Sequence, residues 1–344
     1  MARTEPSQVQ DRPAVEPTWG GELIPDAPDT LVGLGKRFMK TRHRLHQTGL
    51  FSEQALIGLI DSYPRHLLQA FTMGTDAEKM DDLQPVDTAG VSGADILQSV
   101  KVGRLWFKLM HIYRWKGPYA DTIRQVYAEL QARCPGFEPL EYSGNLLFRS
   151  PVSQVYFHAD AKPNMLWHVG GKKRFWLYPA GDTGLVSQES LENIFENAQD
   201  EEVPYRAEFD RCAAQFDLEA GDLLSWPQNS PHRVAVMEGM SLWITTFYQT
   251  EESIRRGHVY GANSLLRRTL GLRNLSTRER GGMALAKETM YRACRRAKVL
   301  KVYPARKYLA EYRIDPARPG GISRIPGGPV VTEFSKAALG IGAM

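Results

Sequence analysis

The chain has 344 residues, of which 42% are hydrophobic and 24% are charged, a balance typical of a globular protein with one large or two modest domains. No apolar run approaches the roughly 18 residues of a membrane span, so we expect no membrane association. The net charge of +4 is divided unevenly: the segment from Glu251 onwards has a net charge of +12, and the first 250 residues have −8. Because this segment is basic, an anionic binding partner remains one alternative.

The start of the chain and its cysteines both favour the cytoplasm. The first residues contain no apolar h-region, so we expect no secretory signal. Cys134, Cys212 and Cys294 are far apart and odd in number, which predicts neither a disulfide framework nor a Cys-x-x-Cys metal site. We therefore expect a cytoplasmic protein.

The first part of the chain is predicted to be an extended leader followed by helices. Residues 1–30 contain five prolines and are predicted to form a flexible leader. Residues 31–139 are predicted to be a helical N-terminal region. In it, "SEQALIGLIDSY" starts with Ser52 as N-cap, and "PYADTIRQVYAELQARCPG" has apolar residues at helical spacing. "ADILQSVKVGRLWFKLMHIYRW", between them, is apolar on too many sides for a surface helix, and we expect it to be buried.

The pattern changes to short β-rich runs in residues 140–250. "QVYFHAD", "KRFWLYP" and "MSLWITTFYQT" are examples, each bounded by turn residues. Many short strands with turn signals predict a sandwich or a barrel. "EAGDL", at residues 219–223, is predicted to be the tight turn of a hairpin. Residues 251–344 are predicted to be a basic, largely helical C-terminal region.

A potential metal site lies in "YFHADAKPNMLWHVGGKKRFWLYP". Residues two apart in a strand share a face, so His158 and Asp160 project together. His232, where a later strand begins, is the best candidate for a third ligand. Two histidines and one carboxylate that leave opposite positions open are typical of non-haem Fe(II) oxygenases. A His-x-Asp pair alone is more often a surface hydrogen-bonded pair, but the three residues together, in this order within a β-rich segment, favour a metal.

Lys173 is predicted to point into the barrel. Alternation in "KRFWLYP" puts Lys173 on the face of Phe175 and Leu177, whereas Lys172 precedes the strand. An inward ammonium beside a metal can pair with the far carboxylate of 2-oxoglutarate. A lysine whose charged end reaches solvent is the alternative.

"HADAKPNMLWHVGGKKRFWLYP" followed by "AGDLLSWPQNSPHRV" resembles the JmjC and cupin-like branch of the Fe(II)/2-oxoglutarate oxygenases, in particular the asparaginyl hydroxylase that inhibits hypoxia-inducible factor. The resemblance covers roughly residues 140–250. It implies a mainly β, double-stranded β-helix (jelly-roll) barrel with helical decorations at both ends, and the cofactors Fe(II) and 2-oxoglutarate. The family's functional positions fall on His158, Asp160 and His232 as catalytic iron ligands, and on Lys173 and Asn164 as 2-oxoglutarate contacts.

Two positions depart from this family pattern. Val155 stands where the relative has a hydroxyl residue, and Phe247 stands where it has an asparagine. Ser153 or Tyr156 are the alternatives for the lost co-substrate contacts. The resemblance implies hydroxylation of a protein or peptide side chain. A small-molecule hydroxylase, acting on an amino acid or natural product, and a non-catalytic metal-containing binding protein are the alternatives.

A basic helix is predicted in the C-terminal region, in "MALAKETMYRACRRAKVLK". Arg292, Arg295 and Arg296 share one face, and Glu288 is spaced to pair with Arg292. We expect this helix to pack on the barrel or on a second subunit of a homodimer. An RNA or acidic protein partner is the alternative, although no RNP, zinc-knuckle or KH signature accompanies the helix.

Overall fold

The computed structural model describes residues 20–26, 28–79, 83–114, 117–301, 303 and 307–338, so most of the predicted leader lies outside the described residues. The helices are α1 (Glu53–Ser62), α2 (Gly93–Val102), α3 (Pro118–Arg133), α4 (Gln188–Phe195), α5 (Glu251–Leu270), α6 (Gly282–Arg296) and α7 (Glu333–Ala338). The strands are β1 (Met39–Arg42), β2 (Leu68–Thr72), β3 (Val86–Asp87), β4 (Leu105–Leu109), β5 (Glu141–Arg149), β6 (Gln154–His158), β7 (Asn164–Leu177), β8 (Ala214–Leu218), β9 (Asp222–Ser225), β10 (His232–Gln249), β11 (Leu309–Ala310), β12 (Tyr312–Ile314), β13 (Ile322–Arg324) and β14 (Val330–Val331).

The main sheet is antiparallel and is built around two long strands, β7 and β10. Its order is β1-β9-β7-β10-β5-β4-β2, with β6 added to β10 and β8 added to β7. The start of β10 pairs with β6 and its end pairs with β5, while β7 pairs with β9 at its start and with β8 at its end. The long strands therefore belong to two layers, which confirms the predicted mainly β, cupin-like core with helical decorations.

β7 and β10 pass from one layer to the other at a bend that contains two glycines. The register between the strands shifts between Val236 and Leu242, next to Gly170 and Gly171. Gly171 has a φ of +74°, and a Cβ there would lie 2.6 Å from the backbone oxygen of Met240. "VGGKK" is thus a corner of the barrel, where a glycine permits the bend.

Gly171→Ala is expected to lower the free energy of unfolding by on the order of 2 kcal/mol, because the substitution combines a positive φ with a backbone clash. Gly170→Ala is the matched control, since its Cβ would meet only the Leu242 side chain, at 3.6 Å. Denaturant unfolding of both variants measures the difference. Equal losses would contradict this account of the bend.

Alternation along the strands separates the helix-covered core from the barrel interior. On β5, Leu146 and Phe148 pack under the N-terminal helices, whereas Leu147 and Arg149 face the interior. On β10, Trp243 likewise faces the interior. Because neighbouring residues of a strand point to opposite faces, the same strands complete the core and line a cavity.

The region 31–139 contains strands as well as the predicted helices. Ser52 caps α1, as predicted, by accepting a hydrogen bond from the backbone N–H of Ala55. However, β1, β2 and β4 join the main sheet. The apolar stretch expected to be buried divides into α2 and β4, whose apolar faces are buried. The domain boundary near residue 140 stays a prediction.

The predicted hairpin at residues 219–223 is wrong. β8 and β9 do not pair with each other but lie one after the other along the same edge of β7. The turn between them is anchored to β7 by the Gly221 N–H, which donates to the His168 carbonyl at 2.8 Å. The sequence of a tight Gly-Asp turn does not distinguish a hairpin, in which the chain reverses, from a turn after which the chain continues along the same neighbouring strand.

The C-terminal region contains α5, α6 and α7 together with the short strands β11 to β14. β12 pairs in parallel with β3, which links this region to the N-terminal one. In the part of the chain covered by the structure, no helix is both long and apolar enough to cross a membrane.

Candidate active site

His158, Asp160 and His232 come together at the open end of β6. His158 ends β6, Asp160 lies two residues later, and His232 begins β10, where it is the direct antiparallel partner of His158. The two imidazole rings have centroids 4.0 Å apart, and His232 Nε2 lies 3.4 Å from Asp160 Oδ2. One ligand atom of each residue lies within 4.8 Å of the others, so the three could hold one metal ion.

The backbone fixes which nitrogen each histidine presents. His158 Nδ1 lies 2.7 Å from the Tyr156 carbonyl oxygen, and His232 Nδ1 lies 3.1 Å from that of Ser230. A carbonyl oxygen only accepts hydrogen bonds, so both Nδ1 atoms donate. Both Nε2 lone pairs are therefore available for a metal, the arrangement by which a ligating histidine is usually oriented.

Burial makes this group suited to a cation. Asp160 and His232 are 6% and 3% exposed. Burial raises the pKa of Asp160, although His158 and Asn164 oppose that shift. Burial, followed by the proximity of His158, holds the pKa of His232 well below its usual value, which keeps that ring neutral. Two neutral nitrogens and one buried carboxylate form a donor set that a divalent cation would stabilise.

Asn164 supports the Asp160 carboxylate. Asn164 begins β7, is 2% exposed, and donates a hydrogen bond from its amide to Asp160 Oδ2. Its Oδ1 atom has no hydrogen-bond partner among the described residues. Asn229 fixes the same segment by donating to the Asp160 carbonyl at 2.8 Å. Asn164 thus lies beside the candidate metal site, with one polar atom left to bind a ligand.

A cavity of about 170 Å³ adjoins the three candidate ligands. Its lining combines aromatic with charged and aliphatic side chains and includes Trp106, Arg149, Tyr156, Phe175, Trp226 and Trp243. Phe175 stacks on the His232 ring with centroids 5.2 Å apart, and Trp226 packs on the same ring at 4.9 Å. These contacts hold the imidazole plane in place and cover its faces with apolar rings.

Both positions that depart from the family pattern face this cavity. Val155 and Phe247 line it and offer no hydrogen bond. Of the two alternatives, Ser153 donates its hydroxyl to the Ser150 carbonyl at 2.7 Å and does not line the cavity. Tyr156 does line it, and its hydroxyl accepts from the Gly74 N–H at 3.2 Å. Tyr156 is therefore the better placed of the two to contact a molecule in the cavity.

Lys173 is buried, whereas Lys172 is exposed, as the alternation predicts. Lys173 is 1% exposed, and its Nζ atom has no hydrogen-bond partner in the described chain. Lys172 pairs with Glu238 at 3.0 Å on the surface. Lys173 does not itself line the cavity: its Nζ lies 3.8 Å from the ring centroid of Trp243, which does. Burial and then Arg149 hold the pKa of Lys173 well below its usual value.

Four charged residues of the cavity wall were not predicted from the sequence: Lys108, Arg149, Glu201 and Glu202. Arg149 is 4% exposed at the end of β5, and its only sequence signal is a charge on the inward-facing register of "NLLFR". Burial, with a contribution from Asp160, raises the pKa of Glu201 to about 7. Glu201 and Glu202 lie outside the helices and strands, where no periodicity predicts the direction of a side chain.

The basic face of the C-terminal region is on the surface. Arg292, Arg295 and Arg296 are exposed on α6, and Arg292 lies 3.6 Å from Glu288, at the predicted spacing. The opposite side of α6 packs inward, where Lys287 Nζ donates to the Ser276 carbonyl. The helix therefore both packs on the protein and presents cations to solvent.

Comparison with known proteins identifies the central segment. Residues 118–254 match the family model of the cupin-like domain. This match confirms the predicted resemblance to cupin-like proteins, and it includes all three candidate ligands. No curated protein sequence matches the chain at a significant level.

Several solved structures are similar at low sequence identity. The X-ray structure of ycfD from E. coli is 13% identical, with a TM-score of 0.43, and the match covers 76% of this chain and 64% of that one. YcfD, a ribosomal oxygenase from Escherichia coli in complex with cobalt and 2-oxoglutarate, is 14% identical, with a TM-score of 0.41 and coverage of 79% and 67%. The DMSP lyase DddQ from Ruegeria pomeroyi is 10% identical, with a TM-score of 0.21 and coverage of 32% and 40%. The chain thus spans about two thirds of the length of the E. coli structures.

Proposed function

We propose that this chain, which carries a cupin-like domain at residues 118–254, is an Fe(II)- and 2-oxoglutarate-dependent oxygenase that hydroxylates a protein or peptide side chain. The observation that carries the proposal is the group formed by half-buried His158 and buried Asp160 and His232. Two imidazole Nε2 atoms and one carboxylate on one side of a cavity are the ligand set of the non-haem Fe(II) oxygenases.

The surrounding residues fit these cofactors. Lys173 Nζ is a buried donor without a hydrogen-bond partner among the described residues, and such an atom is costly unless a ligand that accepts hydrogen bonds satisfies it. A lysine ammonium is a suitable partner for the far carboxylate of 2-oxoglutarate. His158, Asp160 and His232 would ligate the iron, and Lys173 and Asn164 would contact the co-substrate.

Iron and 2-oxoglutarate, when bound, would supply the oxidation of a C–H bond by O₂: one oxygen atom enters the product as a hydroxyl, the other enters succinate, and CO₂ is released. The chain's residues orient and shield this reaction. The backbone carbonyls of Tyr156 and Ser230 set the two histidine tautomers, while Phe175 and Trp226 keep water away from His232.

A protein or peptide substrate rests on the resemblance to the asparaginyl hydroxylase, which is an argument by analogy. A small-molecule hydroxylase uses the same site, and a metal-containing binding protein would keep the three ligands without turnover. The purified chain with Fe(II) and 2-oxoglutarate tests all three. We expect succinate formation that a cell extract stimulates, together with extract peptides that gain the mass of one oxygen atom. Stimulation by the small-molecule fraction alone would identify the second function, and metal binding without succinate the third.

Reversing Arg292, Arg295 and Arg296 to Glu is expected to leave substrate-free conversion of 2-oxoglutarate unchanged, because no residue of α6 lines the cavity. If the basic face binds an anionic substrate or partner, turnover of that substrate falls and becomes insensitive to salt. Succinate assays with and without extract measure both effects. A changed oligomeric state on size exclusion would instead assign the face to an interface between two copies.

A further inference from the structure

Arg149 carries a buried charge that the account above does not use. It ends β5, it is 4% exposed, and its side chain lines the same cavity as the candidate ligands. Its Nη1 atom donates to the Gln154 carbonyl, but its Nε atom has no partner among the described residues, and no described carboxylate forms an ion pair with it. Glu202 stabilises the guanidinium only from beyond ion-pair distance, so the charge is buried without a direct partner, which is costly and indicates that a ligand completes the site.

Arg149 shares an aromatic wall with the second buried cation, Lys173. The Arg149 Cζ atom lies 5.0 Å from the ring centroid of Trp106 and 5.6 Å from that of Trp243. The Lys173 Nζ atom lies 3.8 Å from the same Trp243 ring. Contacts with aromatic faces stabilise a cation by only about 0.5–2 kcal/mol, less than the several kcal/mol that burying a charge costs. Two basic side chains against one indole therefore form a subsite that an anion would stabilise.

The protonation of both groups is consistent with this subsite. Burial lowers the pKa of Arg149 to about 9, so the guanidinium is still charged at neutral pH. The charge of Arg149 in turn contributes to the lowered pKa of Lys173, after burial itself. A carboxylate bound between them would favour the charged form of both groups and would offset the repulsion that contributes to the lowered pKa of Lys173.

We propose that Arg149 is a second direct contact for the far carboxylate of 2-oxoglutarate, acting together with Lys173. The inference rests on the proposed function and deepens it. A contact from Arg149 would compensate for Val155 and Phe247, since these two residues leave the cavity wall without the hydroxyl and amide donors of the related hydroxylase. A guanidinium fork offers two parallel donors to one carboxylate and so replaces those neutral hydrogen bonds with charged ones. Arg149 lies in the cavity wall itself, whereas Lys173 lies against Trp243.

The test compares two ligands that differ at the far end. Full-length protein loaded with Mn(II), in the absence of O₂, is titrated calorimetrically with 2-oxoglutarate and with 2-oxobutanoate, which lacks the far carboxylate. We expect Arg149→Met to weaken 2-oxoglutarate binding at least tenfold, by roughly the loss of one charge-assisted contact. Binding of 2-oxobutanoate should not change. Arg149→Lys keeps the charge without the fork and should give an intermediate affinity for 2-oxoglutarate.

Arg174→Met is the matched control, because Arg174 is an exposed arginine of β7 that pairs with Asp217 at 2.6 Å. It should leave the affinities for both ligands unchanged. Undiminished 2-oxoglutarate affinity in Arg149→Met would overturn the inference. An equal loss of affinity for both ligands would also overturn it, because that result would assign Arg149 a structural role. Wild-type protein that binds Mn(II) but neither 2-oxo acid would contradict the proposed function itself, which separates the two failures.

Discussion

Alanine at His158, Asp160 or His232 is expected to abolish iron binding and 2-oxoglutarate turnover. Each substitution removes one of three protein ligands, and loss even of a supporting contact to a metal ligand costs about 10–100-fold in metal affinity, so a lost ligand should cost more than that. Titration of each metal-free variant with Fe(II) under anaerobic conditions measures the affinity. Succinate formation measures the turnover.

Controls separate ligation from folding. His66→Ala removes an exposed histidine outside the site and should leave iron affinity unchanged. Asp160→Asn keeps the volume of the side chain but removes its charge, so iron binding should be lost. Because burial disfavours the Asp160 carboxylate, the metal-free Asp160→Asn protein should unfold at the same or a higher temperature than wild type. Undiminished iron affinity in any alanine variant would remove that residue from the ligand set.

The local geometry of the site could be predicted because it depends on short-range rules. The two-residue spacing was enough to put His158 and Asp160 on one side, although Asp160 lies just past the end of β6. Alternation within β7 separates buried Lys173 from exposed Lys172. The recurrence of short strands was likewise sufficient for the class of the fold. What alternation does not specify is the neighbour of a strand. The direct pairing of His158 with His232 follows from the order of β6 and β10 in the sheet, which is a long-range property.

The failures of prediction share that cause. β1, β2 and β4 join the barrel sheet although the surrounding sequence is helical. The edge of a sheet has unpaired N–H and C=O groups, and a distant segment of the chain can pair with them. The Gly-Asp turn before β9 predicts a hairpin, but after this turn the chain continues along β7 in the same direction. Arg149 was missed because one charge at the end of an apolar strand reads as a surface residue until the opposite wall of the cavity is known.

Lys173→Ala is expected to raise the KM for 2-oxoglutarate by at least tenfold while iron affinity stays unchanged. The estimate comes from the loss of a charge-assisted contact of roughly 1.5–3 kcal/mol. Lys172→Ala is the matched control on the neighbouring position. Its ammonium pairs with Glu238 on the surface, far from the cavity interior, so its KM should be close to that of wild type. Equal effects of the two substitutions would remove Lys173 from the co-substrate site.

The pH dependence of binding provides an independent test of Lys173. Burial holds the pKa of the empty-site Lys173 well below its usual value, whereas a bound carboxylate favours the charged ammonium and raises that pKa. Between the two pKa values, binding must take up a proton, so affinity for 2-oxoglutarate should fall as the pH rises above the pKa of the empty site. Calorimetry in buffers of different ionisation enthalpy measures this uptake. In Lys173→Met, the part of the proton uptake that is due to Lys173 should disappear, because the substitution removes the titrating ammonium. Iron should still bind, because His158, Asp160 and His232 are unaltered.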